Sequence, residues 1–262
     1  MIVPVSINHS GPYDFLLDTG TQMTILDPGL VAELHLATEG KAEILSVGSQ
    51  ASAPFARLDL IEVRSHPVSK PRVLVYDLKN LPVSDLPVRG VLGEDFLKHF
   101  DMLLDNEHKL LCLDDTGRLR STVKGAHISL LSAARSSDGQ PAPSPLVISA
   151  RLSDGIRPVR LELDSGSNTP FLYSADEYVD LGLVRRVAFA SGGANGEGRY
   201  YSALPLQNIK LGPVEIPAVT FVTLHDIHKD RRLADFDGLL PLGIFRRILI
   251  AHADQFVILE LW

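Results

Sequence analysis

The feature that most constrains the fold of this chain is a short motif that occurs twice. An apolar segment runs each time into Asp, then Ser or Thr, then Gly, then Ser or Thr, in FLLDTGT at Phe15–Thr21 and in LELDSGS at Leu161–Ser167. Average residue usage predicts roughly 0.1 occurrences of Asp-[Ser/Thr]-Gly in a chain of this length. The two copies, whose aspartates Asp18 and Asp164 lie 146 residues apart, therefore indicate that one structural unit is used twice.

The segments downstream of the motif repeat as well. GVLGEDFL at Gly90–Leu97 is echoed by GLLPLGIF at Gly238–Phe245. Gly93 follows the first aspartate by 75 residues and Gly243 follows the second by 79, and each glycine precedes a short helical pattern and a final apolar strand. The period is too long for a solenoid. We therefore predict an internal duplication with two similar lobes related by an approximate two-fold axis.

Short apolar stretches with period-two alternation predict a β-rich chain. They are punctuated by 17 prolines and 20 glycines, and helical patterns are few and short. Asp27 and Pro28 predict the start of one short helix, as its N-cap and its first residue. The linker-like segment SSDGQPAPSP at Ser136–Pro145 predicts an N-terminal lobe over residues 1–135 and a C-terminal lobe over residues 146–262. The predicted fold class is all-β, with two similar lobes and few short helices.

The residue types of the motif suit acid–base chemistry on a water molecule. Gly20 and Gly166 permit a sharp turn that brings backbone N–H groups near the carboxylate. If Asp18 and Asp164 meet across the two-fold axis, they share one proton, because two adjacent carboxylates cannot both ionise. One then acts as a base towards water, and the protonated one polarises the scissile carbonyl. No cofactor or metal is expected beyond this water. The alternative is that both motifs are ordinary Asp-Gly turns.

These motifs resemble the catalytic loops and the apolar-apolar-Gly segments of the pepsin/retropepsin superfamily of aspartic proteases. The closest likeness is to bacterial retropepsin-like proteases fused into one chain. The resemblance implies the acid protease fold, with two β-barrel-like lobes, and a catalytic dyad of Asp18 and Asp164. It also implies supporting roles for the residues that follow each aspartate: Thr19, Gly20, Thr21, Ser165, Gly166 and Ser167. The hydroxyl directly after each aspartate would bond to the opposite loop. The hydroxyl three residues after each aspartate would bond to the carboxylate.

The resemblance further implies flexible flaps over the substrate. We predict two flap segments, Val47–Ser52 and Gly192–Arg199, because both are rich in glycine or small polar residues. The first segment lacks the flap tyrosine of pepsin-like enzymes. The alternative interpretation is that both segments are ordinary hairpin tips. The candidate flap residues are Val47, Gly48, Ser49, Gly192, Gly193 and Tyr200.

Composition and charge exclude several other classes. The net charge is −7 and there is no basic stripe, which disfavours nucleic-acid binding. No apolar run reaches the ~18 residues of a membrane-spanning helix. A single cysteine, Cys112, excludes an intramolecular disulfide. No signal peptide is evident, so we expect a cytoplasmic protein if Met1 is the native start, and a periplasmic or secreted one if the chain has been trimmed.

The sequence thus predicts an aspartic endopeptidase that binds a peptide or protein substrate in extended form, in the cleft between its lobes. A monomer suffices because both aspartates lie on one chain, although exchange of halves between two chains is an alternative. Hydroxyl donors to the ionised carboxylates favour an acidic rather than a neutral pH optimum. The main alternative function is a catalytically silent peptide-binding module on the same fold.

Overall fold

The computed structural model describes residues 1–46, 49–80, 88–131, 145–173, 175, 186–192, 198–223 and 236–262. These residues form three β-sheets and a few short helices, as the alternating apolar pattern predicts. No helix in these ranges is long and apolar enough to cross a membrane.

The first sheet has nine strands, all from the first hundred residues. Their order across the sheet is β4-β5-β8-β3-β9-β2-β1-β6-β7. The strands are β1 (Ile2–Ile7), β2 (Ser10–Leu17), β3 (Ile25–Leu26), β4 (Thr38–Ser46), β5 (Ser49–Arg57), β6 (Leu60–Val63), β7 (His66–Ser69), β8 (Arg72–Val75) and β9 (Gly90–Leu92). Burial alternates along β1, where Val3, Val5 and Ile7 are buried, because successive side chains of a strand point to opposite faces.

Two short α-helices accompany this sheet. The first, α1 (Pro28–Glu33), begins as predicted: the Asp27 carboxylate accepts a hydrogen bond of 2.8 Å from the Gly29 N–H. The second, α2 (Glu94–Leu97), follows β9 directly and buries Phe96 and Leu97. Leu78–Asn80 forms a 3-10 helix.

The second sheet has five strands and joins residues from both halves of the sequence. Its order is β11-β10-β22-β23-β12. The strands are β10 (Asp101–Asp105), β11 (Leu110–Asp114), β12 (Ala126–Ser129), β22 (Arg247–Ala251) and β23 (Phe256–Glu260). Its central strands β10, β22 and β23 supply fully buried side chains such as Met102, Ile248 and Ile258, so this sheet has a core of its own.

The third sheet repeats the order of the first, strand for strand. That order is β16-β17-β20-β15-β21-β14-β13-β18-β19. The strands are β13 (Val147–Leu152), β14 (Val159–Asp164), β15 (Phe171–Leu172), β16 (Arg186–Gly192), β17 (Gly198–Ala203), β18 (Gln207–Leu211), β19 (Val214–Val219), β20 (Val222–Thr223) and β21 (Gly238–Pro241). Two further 3-10 helices span Arg118–Thr122 and Leu242–Ile244.

The chain divides into two compact units. One comprises Met1–Leu97 with Phe189–Arg199, and the other comprises Lys98–Ala188 with Tyr200–Trp262. Residues 136–144 of the predicted linker lie outside the described residues. The predicted lobes, 1–135 and 146–262, remain a prediction from the sequence.

Strand register corrects one equivalence drawn from the sequence. Phe15 pairs with Gly90 in the first sheet, and Leu161 pairs with Gly238 in the third. Both pairing residues precede their aspartate by three, so Gly90 corresponds to Gly238, and the counterpart of Gly93 is Pro241 rather than Gly243. The spacing of the glycines alone gives the wrong alignment of the two halves. The equivalent glycines, Gly90 and Gly238, are those at which a neighbouring backbone comes too close for a side chain. A Cβ atom at Gly238 would lie 2.1 Å from the Phe171 carbonyl oxygen.

Candidate active site

The first Asp-Thr-Gly loop holds the Asp18 carboxylate through both of its oxygens. Asp18 directly follows β2, and its N–H donates to the Leu92 carbonyl oxygen of β9 at 3.0 Å. The Gly20 N–H donates to Oδ1 at 2.9 Å, and the Thr21 hydroxyl donates to Oδ2 at 2.7 Å. The supporting roles of Gly20 and Thr21 thus have a direct geometric basis. Asp18 is half-buried, so its carboxylate is partly accessible to solvent.

Residues from α2 brace the same loop. The Glu94 N–H donates to the Thr21 carbonyl oxygen at 2.8 Å. The Asp95 carboxylate accepts hydrogen bonds from the Thr24 N–H at 2.8 Å and from the Thr24 hydroxyl at 2.7 Å. A Cβ atom at Gly93 would lie 2.7 Å from the Thr21 carbonyl oxygen, so glycine is required for this close approach. Sequence reasoning missed Asp95 and Thr24. The sequence signal that could have revealed Asp95 is the acidic pair Glu94 and Asp95 inside the otherwise apolar segment GVLGEDFL.

The second loop holds its carboxylate differently. Asp164 ends β14 and is buried, with 8% of its surface exposed. Its Oδ1 accepts two backbone hydrogen bonds, from the Gly166 N–H at 2.7 Å and from the Ser167 N–H at 3.1 Å. The Ser167 hydroxyl donates to the Thr169 carbonyl oxygen at 3.0 Å. The expectation that this hydroxyl bonds the carboxylate is therefore wrong: a local turn satisfies the hydroxyl, as is common for serine in loops.

A second buried acidic residue, Glu162, lies near Asp164 in the sequence and on the same strand. Glu162 lies two residues earlier in β14, hence on the same face, and is 3% exposed. Burial raises the pKa of the nearby Tyr173 phenol, and the charges of Glu162 and Asp164 raise it further. The Tyr173 phenol is therefore harder to ionise than that of a free tyrosine.

The remaining predicted site residues have the following places. Thr19 is fully buried, and Ser165 is half-buried in the second loop. Their proposed bonds to the opposite loop stay a prediction. Val47, Gly48 and Gly193 lie outside the described residues. Ser49 begins β5 and pairs with Ser46, Gly192 ends β16, and Tyr200 lies in β17. The flap assignment also stays a prediction.

One group of possible metal ligands occurs among the described residues: Asp105, Glu107 and His108. The Asp105 carboxylate accepts the His108 N–H at 2.9 Å and lies 3.3 Å from the Arg247 guanidinium, and Glu107 lies 3.6 Å from Arg246. Because cationic groups already neutralise these carboxylates, the group does not indicate a metal site.

Comparisons with known proteins relate part of the sequence to a family and the whole chain to a fold. Residues 3–96, which contain the first loop and most of α2, match a family model described as aspartyl protease. No curated protein matches the chain. The solved structure of an aspartic proteinase from Irpex lacteus is similar over 99% of this chain and 93% of its own length, with a TM-score of 0.56 and 13% identity. At that identity the likeness shows the fold alone. It is the aspartic protease fold, which confirms the predicted fold class.

Two further protease structures match shorter parts of the chain. EIAV protease, solved with an inhibitor, matches 37% of this chain and 85% of its own at 26% identity and a TM-score of 0.28. A retropepsin-like aspartic protease from Rickettsia conorii matches 38% of this chain and 70% of its own at 16% identity and a TM-score of 0.27. The suspected resemblance to pepsin-like and retropepsin-like aspartic proteases is thus confirmed by the family match and by the overall fold.

Proposed function

We propose that this protein, whose first sheet matches the aspartyl protease family and whose whole chain has the aspartic protease fold, is an aspartic endopeptidase with Asp18 and Asp164 as its dyad. One observation carries the proposal. Each carboxylate stands at the end of a strand, and each accepts the N–H of the glycine two residues later, at 2.9 Å in the first loop and 2.7 Å in the second. The common strand order of the two nine-stranded sheets supports an origin by internal duplication.

In the proposed mechanism the two carboxylates share one proton and titrate as a unit. The ionised carboxylate removes a proton from a bound water, whose oxygen attacks the peptide carbonyl carbon. The protonated carboxylate donates a hydrogen bond to the carbonyl oxygen as negative charge develops there. Proton transfer to the leaving nitrogen then breaks the C–N bond. The chemistry needs no cofactor, and the substrate is a peptide or protein bound in extended form.

A catalytically silent peptide-binding module is the second candidate, because a fold does not guarantee an activity. The Thr21 hydroxyl bond to Asp18 counts against it. Peptide binding through backbone hydrogen bonds does not require a carboxylate whose two oxygens are both oriented by donors.

Cleavage of a diverse peptide library between pH 3 and 8 tests the proposal. The samples are the wild type, Asp18→Asn and Asp164→Asn, with Asp14→Asn as the matched control on an exposed position of β2. We expect each dyad variant to lose roughly 10²- to 10⁴-fold in rate, because general acid–base catalysis needs both groups. The control should keep the wild-type rate.

The other outcomes separate the candidates. Activity that survives either dyad substitution refutes the dyad. If the wild type cleaves nothing but binds a statine peptide, which mimics the tetrahedral intermediate, the catalytic geometry is present and the enzyme has few substrates. If it binds plain peptides no less tightly than the statine peptide, the silent module is the better description.

A further inference from the structure

We propose that Thr24 and Asp95 form a side-chain clamp that positions the Asp18 carboxylate for catalysis. The inference rests on the proposed function and adds two positioning residues to it. Neither residue belongs to the duplicated Asp-Ser/Thr-Gly motif.

The clamp consists of hydrogen bonds that converge on one carboxylate oxygen. Oδ1 of Asp95 accepts the Thr24 N–H at 2.8 Å, the Thr24 hydroxyl at 2.7 Å and the Phe96 N–H at 3.0 Å. Hydrogen bonds to an ionised carboxylate are roughly twice as strong as neutral ones. Thr24 is 1% exposed, so water does not compete for its hydroxyl.

From the clamp, hydrogen bonds lead to Asp18 in two steps. The Thr24 hydroxyl accepts the Gly93 N–H at 3.2 Å, which fixes the start of α2 against the loop. The next N–H, from Glu94, holds the Thr21 carbonyl at 2.8 Å, and the Thr21 hydroxyl holds Asp18 Oδ2 at 2.7 Å. A displaced Thr21 backbone would therefore move the donor away from the catalytic carboxylate.

The two equivalent positions of the second half, both among the described residues, do not form such a clamp. The residue six after Asp164, where Thr24 would stand, is Pro170, and the counterpart of Asp95 is Gly243. A proline has no N–H to donate, and a Cβ atom at Gly243 would contact nothing within 4 Å.

A physical reason accounts for this asymmetry. Asp164 Oδ1 accepts hydrogen bonds from two backbone N–H groups, those of Gly166 and Ser167, whose direction is set by the turn itself. The second donor to Asp18 is a side-chain hydroxyl, which rotates about χ1 and keeps its place only if its backbone is held. The clamp supplies that restraint in the first loop.

The test compares disruptive and conservative variants in the full-length protein. Asp95→Ala and Thr24→Val remove the clamp, whereas Asp95→Asn and Thr24→Ser keep an acceptor and a hydroxyl. Because small misplacements of a catalytic group lower the rate of the chemical step, we expect kcat to fall by roughly 10- to 100-fold in the disruptive pair, with KM within about threefold. The conservative pair should stay within about threefold of the wild-type kcat.

A second readout does not depend on activity. Amide hydrogen exchange of Gly20, whose N–H donates to Asp18, should be at least about tenfold faster in Asp95→Ala, because local opening exposes it. The Gly166 amide, in the loop without a clamp, should exchange at the wild-type rate and serves as the internal control. If Asp95→Ala does not fold, Thr24→Val gives the same comparison.

A lowered melting temperature with unchanged kcat and unchanged Gly20 exchange would overturn the inference, since the clamp would then stabilise the fold alone. If the wild type shows no cleavage that depends on Asp18, the proposed function fails. The exchange of Gly20 against Gly166 still decides whether the clamp orders the loop.

Discussion

At the scale of single residues, the two proposed catalytic carboxylates differ in their donors. Asp18 takes one backbone N–H and the Thr21 hydroxyl, on separate oxygens. Asp164 takes two backbone N–H groups on one oxygen, and the Ser167 hydroxyl turns to the Thr169 carbonyl. Thr21 and Ser167 therefore occupy equivalent positions of the motif, but their hydroxyls bond to different groups.

This difference predicts unequal effects of removing the two hydroxyls. Thr21→Val deletes a hydrogen bond to a charged group, which is worth about 1.5–3 kcal/mol, so kcat/KM should fall roughly 10- to 100-fold. Ser167→Ala leaves both N–H donors to Asp164 in place, so kcat/KM should stay within about threefold of the wild type. Steady-state kinetics on one fluorogenic peptide measure both values. Equal losses in the two variants would contradict the assigned donors.

At the scale of elements, the segment after β9 and the segment after β21 look alike in sequence but pack differently. The extra Cβ of an alanine at Gly93 would lie 2.7 Å from the Thr21 carbonyl oxygen and 2.8 Å from the Met23 backbone. At Gly243 it would meet nothing within 4 Å. The first segment is therefore packed against the Asp18 loop at Gly93, whereas there is open space beside Gly243.

The pair Gly93→Ala and Gly243→Ala tests this distinction. Gly93→Ala must push the Thr21–Thr24 backbone away, and we expect it to lose activity and to unfold at lower denaturant, by about 1–3 kcal/mol as for other overpacked sites. Gly243→Ala should change the free energy of unfolding by no more than about 0.5 kcal/mol. Urea unfolding followed by circular dichroism measures both changes. A destabilised Gly243→Ala would contradict the open space that the structure shows beside Gly243.

The Asp114 carboxylate, at the end of β11, accepts hydrogen bonds from Thr116 and from Leu119 in the 3-10 helix Arg118–Thr122. A hydrogen bond from the Thr116 hydroxyl, together with N–H groups of Leu119 and Thr116, lowers the pKa of Asp114 to about 2 from an ordinary value of 3.8. A carboxylate whose pKa is lower in the folded state than in the unfolded state stabilises the fold. This stabilisation is complete at pH values above the unfolded-state pKa, and it is lost as the pH falls through the folded-state pKa. The contribution of Asp114 should therefore be present above about pH 4 and vanish near pH 2.

Asp114→Ala tests this linkage. We expect the difference in free energy of unfolding between wild type and variant to be larger at pH 6 than at pH 2, as measured by urea titration at both values. Asp115→Ala, at the exposed neighbouring position, is the control for the loss of a surface carboxylate. A pH-independent difference for Asp114→Ala would mean that only its packing matters.

At the scale of the whole molecule, local signals predicted more than distant ones. The strand-rich fold and the helix start at Asp27 follow from periodicity and capping, which involve neighbouring residues. The Thr24–Asp95 clamp could not be predicted, because its members are 71 residues apart and meet only when β3 and β9 pair. The direction of the Ser167 hydroxyl was likewise decided by a turn that the motif does not specify.

Whether one chain suffices for activity is a question about the molecule as a whole. Asp18 and Asp164 lie on the same chain, so a monomer would suffice for the proposed dyad. If halves were exchanged between two chains, each site would combine residue 18 of one chain with residue 164 of the other. A mixture of Asp18→Asn and Asp164→Asn chains then distinguishes the two arrangements, because only exchanged dimers rebuild a site with both carboxylates.

We expect no recovery of activity when the two variants are unfolded together in urea and refolded in equal amounts. Wild-type protein taken through the same cycle is the control for refolding yield, and light scattering gives the mass of the refolded species. Recovered cleavage in a dimeric fraction would show that halves are exchanged and that the minimum catalytic unit is two chains. A monomeric mass without recovery places the whole proposed reaction, its proton-sharing pair included, on a single polypeptide.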